Sequence, residues 1–291
     1  MAKTNLITAQ SPAELGYSMP AEWEKHSATW LGWPHNESDW PDKIDTIRWV
    51  YGEMVRKITQ GEIVRLLVRS QAEAKFAASY LKRAHCNLKK VQFVVHPTNR
   101  GWTRDSGPIH VTRNAKRGTR NQDKAIVHFH FNAWAKYSNW QLDTKVPETA
   151  AALLKRPLFD AQFNGKKFVI EGGGIEVNGR GTLLTTEECY QHPTVQVRNP
   201  GMTKAQYDAQ FKEYLGVKNV LWLVAGPVGD DTHGHIDGQV VVFLAQAIGP
   251  FVISQRALRI ARHSQQQVKQ TQRVGANHQH LEGLALATHE A

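Results

Sequence analysis

Short apolar runs alternate with amphipathic segments as far as Val224, and this alternation constrains the fold more than any single motif. Apolar residues at Ile44, Ile47, Val50, Val55 and Ile58 give Lys43 to Gln60 helical spacing. Glu62 to Val68 then reads as a buried strand, and Gln71 to His85 as a helix with Ala74, Ala77, Ala78 and Leu81 inward. Strands are expected at Val91 to His96, Pro108 to Thr112, Ala125 to Phe131, Lys167 to Ile170 and Val220 to Val224. Helices are expected at Val146 to Lys155 and Thr203 to Leu215, and a hairpin turning at Asn178-Gly179 within Ile175 to Leu184. The unit of helix, strand and carboxylate-bearing loop recurs about three times at ~60–70-residue spacing, longer than a solenoid repeat. This predicts an α/β fold of ring-like repeats whose loops converge at one end. Neither G-x-G-x-x-G nor G-x-x-x-x-G-K-[ST] occurs, so nothing marks a phosphate-binding doubly wound sheet.

The densest chemistry lies in Gly229-Asp230-Asp231-Thr232-His233-Gly234-His235-Ile236-Asp237-Gly238, directly after an apolar strand. Trp102 to Pro108 and Ile170 to Gly174 share its character, each setting a carboxylate (Asp105, Glu171) beside glycines. Taken singly, Asp105 after Arg104 reads as a surface ion pair and Glu171 as a turn cap. His233 and His235 alternate, so with Asp230, Asp231 and Asp237 they fit a metallohydrolase as well as acid/base catalysis. His128 and His130 alternate within an apolar strand and read as structural, and Cys86 at a helix end as incidental.

A chain of 291 residues can bury a large core, and two cysteines, Cys86 and Cys189, make no disulfide framework. No window approaches the roughly 18 apolar residues of a membrane span. Met1 to Leu6 has no secretory-leader character, so a cytoplasmic protein is expected. The formal charge of +10 comes from scattered lysines and arginines, which argues for a basic solvated surface rather than a nucleic-acid partner.

Several stretches, in order, resemble the agmatine deiminase family, among the bacterial-type peptidylarginine deiminases of the guanidine-modifying (pentein) superfamily. They are Met19-Pro20-Ala21-Glu22-Trp23, Gly32 to Asn36, Trp102 to Pro108, Phe131 to Trp134 with Lys136-Tyr137, Glu171-Gly172-Gly173, Thr185 to Cys189 with Arg198-Asn199-Pro200, and Asp230 to Asp237. The resemblance runs from about Met19 to Gly238. It implies a pentein-type α/β propeller, five-bladed in the family, and hydrolysis of agmatine to N-carbamoylputrescine and ammonia through a covalent cysteine adduct, a step of putrescine and polyamine metabolism. It further implies that Asp105 and Asp237 grip the guanidinium, that Trp102 walls the site, and that His235 is the acid/base, oriented by Glu171. Acid/base catalysis is thereby favoured over metal, and no cofactor is expected.

The family's nucleophile is a cysteine in a late glycine-rich segment, whereas this chain has none after Cys189, which the family carries as structure. After Gly238 the sequence continues Gln239 to Leu244 without the family's arginine, and from Ala245 it becomes polar and low in complexity. The expected division is an arm at 1–18, an incomplete deiminase unit at 19–244 and a disordered tail at 245–291, like a truncated or frameshifted ending. The chain as written is expected to be inactive or nearly so. Three other readings stand: an arginine or peptidylarginine deiminase, a guanidine-binding non-enzyme, and a zinc-dependent hydrolase using His233, His235 and Asp237. The expected partner is a small guanidine compound, with neither nucleic acid nor membrane; an unclosed ring would expose a strand edge that invites homo-oligomerisation.

Overall fold

The computed structural model describes residues 6–113, 123–227 and 229–237. The stretch Gln239 to Leu244 and the tail at 245–291 lie outside the described residues. The first strand, β1 (Leu6–Ile7), comes from the stretch read as an N-terminal arm. It pairs with a strand 152 residues later, Leu6 with Leu158, and Tyr17 is only 5% exposed, so residues 6–18 are woven into the fold.

The first sheet is parallel, in the order β2 (Ala28–Gly32), β3 (Ile63–Val68), β4 (Val91–Val95), with α1 (Ile44–Ile58) and α2 (Gln71–Arg83) as the crossovers. Val64, Leu66 and Val68 point one way, against Val55 of α1 and Ala74, Ala77 and Leu81 of α2, while Leu67 points the other way, toward Val146. That is the two-residue period of a strand buried on both faces. Ser70 caps α2 by accepting from Glu73 N. Val50, expected on the inner face of α1, is 47% exposed; Gly52 and Val55 hold the buried face instead.

After β4, the expected Trp102–Pro108 loop contains one helical turn, α3 (Thr103–Ser106). The second sheet uses β5 (Ile109–Arg113), β6 (Asp123–His128) and, after α4 (Val146–Leu154), β7 (Leu158–Asp160), in the order β1-β7-β6-β5. A small hairpin, β8 (Gln162–Phe163) with β9 (Lys166–Lys167), follows. The strand expected at Lys167 to Ile170 is reduced to β9 and a single bridge between Val169 and His130, because the chain turns at once into Gly172–Gly174.

The third sheet joins β10 (Glu176–Val177) and β11 (Thr182–Thr186) as a hairpin. A short helix α5 (Glu187–Gln191) and then α6 (Lys204–Leu215) precede β12 (Asn219–Leu223), which pairs parallel to β11. Thr203 and Gln206 form a reciprocal capping box at the start of α6. Phe159, Phe168, Ile175, Leu183, Tyr207 and Phe211 belong to one core that joins the second and third sheets. No helix among the described residues is long and apolar enough to cross a membrane.

Candidate active site

Three carboxylate- or histidine-bearing loops meet at the Gly172–Gly174 turn. Gly173 N donates to Asp105 Oδ1 at 3.0 Å, and Gly173 O accepts from Ile236 N at 3.0 Å, so one residue ties all three together. The turn must be glycine for lack of room. A Cβ on Gly173 would lie 2.4 Å from His235 Nδ1 and 2.7 Å from Asp105 Oδ1; on Gly172 it would meet Arg104 O at 2.1 Å.

Asp105 is buried and also accepts from Trp134 Nε1 at 3.0 Å. The indole is brought there by three successive non-glycine residues with positive φ, Ala133 (51°), Trp134 (59°) and Ala135 (52°), a strained arrangement that the surrounding packing must hold. Asn132 supports it by accepting from Ala135 N.

Glu171 has no exposed surface, and a carboxylate so placed requires a cation. Arg198, equally buried, supplies it through Nε at 3.1 and 3.2 Å from the two carboxylate oxygens. Arg198 is itself fixed by Gln196 O and Thr232 O. Burial pushes Glu171 upward, but Arg198 and His235 outweigh it and hold the group below its usual value.

His235 lies between the two carboxylates, with Nδ1 3.8 Å from Asp105 Oδ1 and Nε2 3.5 Å from Glu171 Oε2. These are ion-pair distances; Nε2 has no formed hydrogen bond among the described residues and keeps its donor capacity. Burial opposes the imidazolium, yet Glu171, Asp105 and Asp237 together raise its pKa. Asp230 Oδ2 accepts from His235 N at 2.8 Å and so fixes the backbone. Burial, followed by the opposing charge of His235, leaves the Asp105 carboxyl above its usual value.

Asp105, Glu171 and His235 therefore share one buried cluster. Asp237 stands at its partly exposed edge, 3.7 Å from Arg104 Nε, and its charge reaches His235. Trp102 is 37% exposed, with its ring 5.2 Å from that of Trp40. The zinc triad is not assembled, since His233 Nδ1 faces Glu188 at 3.5 Å and its ring meets His192, while His235 faces Asp105 and Glu171. Cys189 Sγ lies 3.9 Å from Glu171 Oε2, closer to the cluster than its motif suggested. Glu171, Cys189 and His235 could geometrically hold a metal ion, but the Arg198 guanidinium already occupies the carboxylate. Burial and the Glu171 charge push the Cys189 thiol well above its ordinary value, the reverse of an activated nucleophile. A cleft of about 530 Å³ opens alongside, lined by Glu22, Arg104, Gly172 and Glu176 among others, but not by Asp105, Glu171 or His235.

The residues that sequence reasoning left without a role are Arg198 and Trp134. Both stood inside quoted motifs, and the demand of a buried Glu171 for a cation was the signal that pointed to Arg198.

The same architecture is found in solved structures. An agmatine deiminase of Enterococcus faecalis superposes with a TM-score of 0.69 at 27% identity, over 80% of this chain and 60% of that one. A C. jejuni agmatine deiminase, solved as a Cys-to-Ser variant with substrate bound, gives 0.63 at 30% identity, over 76% and 60%. Among curated proteins, the agmatine deiminases of Medicago truncatula and Stutzerimonas stutzeri are each 34% identical over 78% of this chain. The chain spans 59% and 58% of those two relatives. The family model described as Porphyromonas-type peptidyl-arginine deiminase matches residues 18–290, past Gly238 where the quoted motifs end. A match of that extent, together with an α/β fold and a buried Asp–His–Glu cluster on the motifs themselves, makes the chain a member of the Porphyromonas-type peptidyl-arginine deiminase family.

Proposed function

We propose that this chain carries the guanidinium-holding half of an agmatine-deiminase-type site and binds its substrate with little or no turnover. The observation that carries this is His235 held between Asp105 and Glu171, with Glu171 neutralised by Arg198. A guanidinium is planar, permanently charged and suited to bidentate carboxylates. Asp105 retains lone pairs beyond those taken by Trp134 and Gly173, and Asp237 offers a second carboxylate at the open edge. In the full reaction, a thiolate attacks the guanidinium carbon, His235 protonates the departing ammonia, and the same imidazole then deprotonates the water that releases the urea-type product. Glu171 would orient and charge His235, and Trp102 would wall the substrate.

Neither cysteine of the 291 residues suits the attack. Cys86 Sγ points to Gly52 O, and the Cys189 thiol is buried and raised. The relative solved with substrate in a Cys-to-Ser form supports the view that the pocket can fill without a thiol. Agmatine is the first choice of substrate, with arginine or peptidylarginine as alternatives, and no cofactor takes part. We further read the three sheets as blades of an incomplete pentein propeller, which accords with the 60% share of the solved relatives covered.

Calorimetry of the full chain with agmatine and arginine, beside an ammonia-release assay, tests this. Agmatine binding without ammonia is expected. Robust ammonia release would overturn the inactivity, and absence of binding by any guanidine compound would overturn the site.

A further inference from the structure

A second cluster of ligand-type side chains, none of them used in the guanidinium chemistry just described, lies in the second sheet. His128 ends β6, and His130 follows two residues on, so both side chains share one face. Asp160 on β7 is the direct register partner of His128. Glu148, in the first turn of α4, reaches the same place. Both imidazoles are buried, at 3% and 4% exposure.

The hydrogen-bond partners fix which atoms face inward. His128 Nε2 lies 2.6 Å from Thr144 O, a carbonyl that can only accept, so Nε2 carries the hydrogen and Nδ1 of the neutral ring is a lone pair. That lone pair faces Asp160 Oδ1 and Glu148 Oε1, each at 3.8 Å. Three acceptor atoms therefore surround one space, and His130 Nε2 is turned toward it as a donor, 2.7 Å from Asp160 Oδ1. His130 Nδ1 is buried without a hydrogen-bond partner among the described residues, so it can take up the ring proton if Nε2 is needed elsewhere. Asp160 Oδ2 is held by Gln162 Nε2 at 2.7 Å, which leaves Oδ1 to point inward.

We infer that His128 Nδ1, His130 Nε2 and Asp160 Oδ1 bind a divalent transition-metal ion of the zinc type, with Glu148 completing the set. The three donors lie within 4.8 Å of one another. Zinc bonds of about 2.0–2.2 Å put tetrahedral donors roughly 3.3–3.5 Å apart, so the 3.8 Å separations contract slightly while the 2.7 Å hydrogen bond between His130 Nε2 and Asp160 Oδ1 opens to admit the ion. Two imidazoles with one or two carboxylates suit zinc better than calcium or magnesium. The Thr144 carbonyl behind His128 and the Gln162 amide behind Asp160 are the outer-shell supports that ligating groups use. Binding requires His130 Nε2 to give up its hydrogen, for which the Nδ1 position on the same ring stands available. The ion would clamp β6, β7 and the start of α4. Through the bridge from His130 to Val169, it would stiffen the strand end that leads to Glu171.

The test uses the full chain, stripped with chelator and titrated with Co²⁺ (read by visible absorption) and then Zn²⁺ by calorimetry. One equivalent is expected, with a tetrahedral cobalt spectrum. Asp160→Asn should weaken binding by more than about 100-fold, beyond the effect of losing an outer-shell partner. Glu148→Gln, at an exposed helix position that leaves the core intact, should weaken it by about 10-fold or more. Should Asp160→Asn fail to fold, Glu148→Gln decides. A His278→Ala/His280→Ala variant should keep the ion. No binding by the parent chain, unchanged binding in Glu148→Gln, or loss of the ion with His278 and His280 would each overturn the site.

Discussion

Arg198 Nε lies 3.1 and 3.2 Å from the two oxygens of Glu171, and neither side chain exposes any surface to solvent. Paired, the two charges compensate each other's desolvation; alone, either would be an uncompensated buried charge. Glu171→Gln or Arg198→Met should therefore each cost about 3–5 kcal/mol in urea denaturation. The double variant should cost clearly less than the sum of the two, because it leaves no orphaned charge. Additive losses would show that the two groups act independently.

The same cluster sets a pH window. His235 is raised above 6.5, so its contribution to stability is complete below that value and fades as pH climbs through the raised pKa. Glu171 is held below 4.5, so its contribution is present above 4.5 and fades as pH falls through the lowered pKa. The stability gap between the parent chain and His235→Gln should be widest between about pH 4.5 and 6.5 and narrow on the alkaline side. Urea midpoints across pH 4 to 9 measure it; a gap that stays flat would mean that His235 is uncharged in the fold.

Asp105, Glu171 and His235 were legible as candidates through the glycine-flanked motifs they share with the family, whereas read singly Asp105 looked like a surface ion pair and Glu171 like a turn cap. The main helices and strands were legible through their periods, as in α2, where Ala74, Ala77 and Leu81 are the buried positions. Other features carry no period to read. A two-residue strand such as β1 is too short to show alternation, and the positive φ angles at Ala133 to Ala135 are set by tertiary packing. Val50 satisfied an approximate helical spacing yet faces outward, while its neighbour Tyr51 packs with Val55 on the buried side. Arg198 was visible only as part of a motif, since no local rule says which distant carboxylate an arginine will neutralise.

Gly173 gives a steric test of the cluster. Its missing Cβ leaves the space in which His235 and Asp105 approach each other. Gly173→Ala must push one of them aside, so agmatine binding should fall at least tenfold, with about 1–3 kcal/mol of stability lost to overpacking. Calorimetry and urea denaturation of the same preparation would show both, and unaltered agmatine affinity would separate Gly173 from the site.

Cys189 provides a chemical test of the proposed low turnover. A buried thiol with a raised pKa reacts slowly, since the thiolate is the attacking form. In the folded chain, iodoacetamide at neutral pH should leave Cys189 unmodified, and it should label there only after urea is added. Peptide mass analysis reads the modification site directly. Rapid labelling of Cys189 in the folded protein would make it a nucleophile after all and would reopen turnover by this chain.

Asp237 separates substrate grip from structural support. Its side chain is 40% exposed and its ion pair with Arg104 is long, at 3.7 Å, so the fold gains little from it. A guanidinium bound there would gain a charge-assisted hydrogen bond worth about 1.5–3 kcal/mol. Asp237→Asn should accordingly weaken agmatine binding by about 10- to 100-fold while shifting stability by no more than about 0.5 kcal/mol. Asp105→Asn should lose both binding and stability, because Trp134 and Gly173 depend on the same carboxylate. If Asp237→Asn bound agmatine like the parent chain, Asp105 would be the sole carboxylate gripping the cation, and the open edge would have no part in recognition.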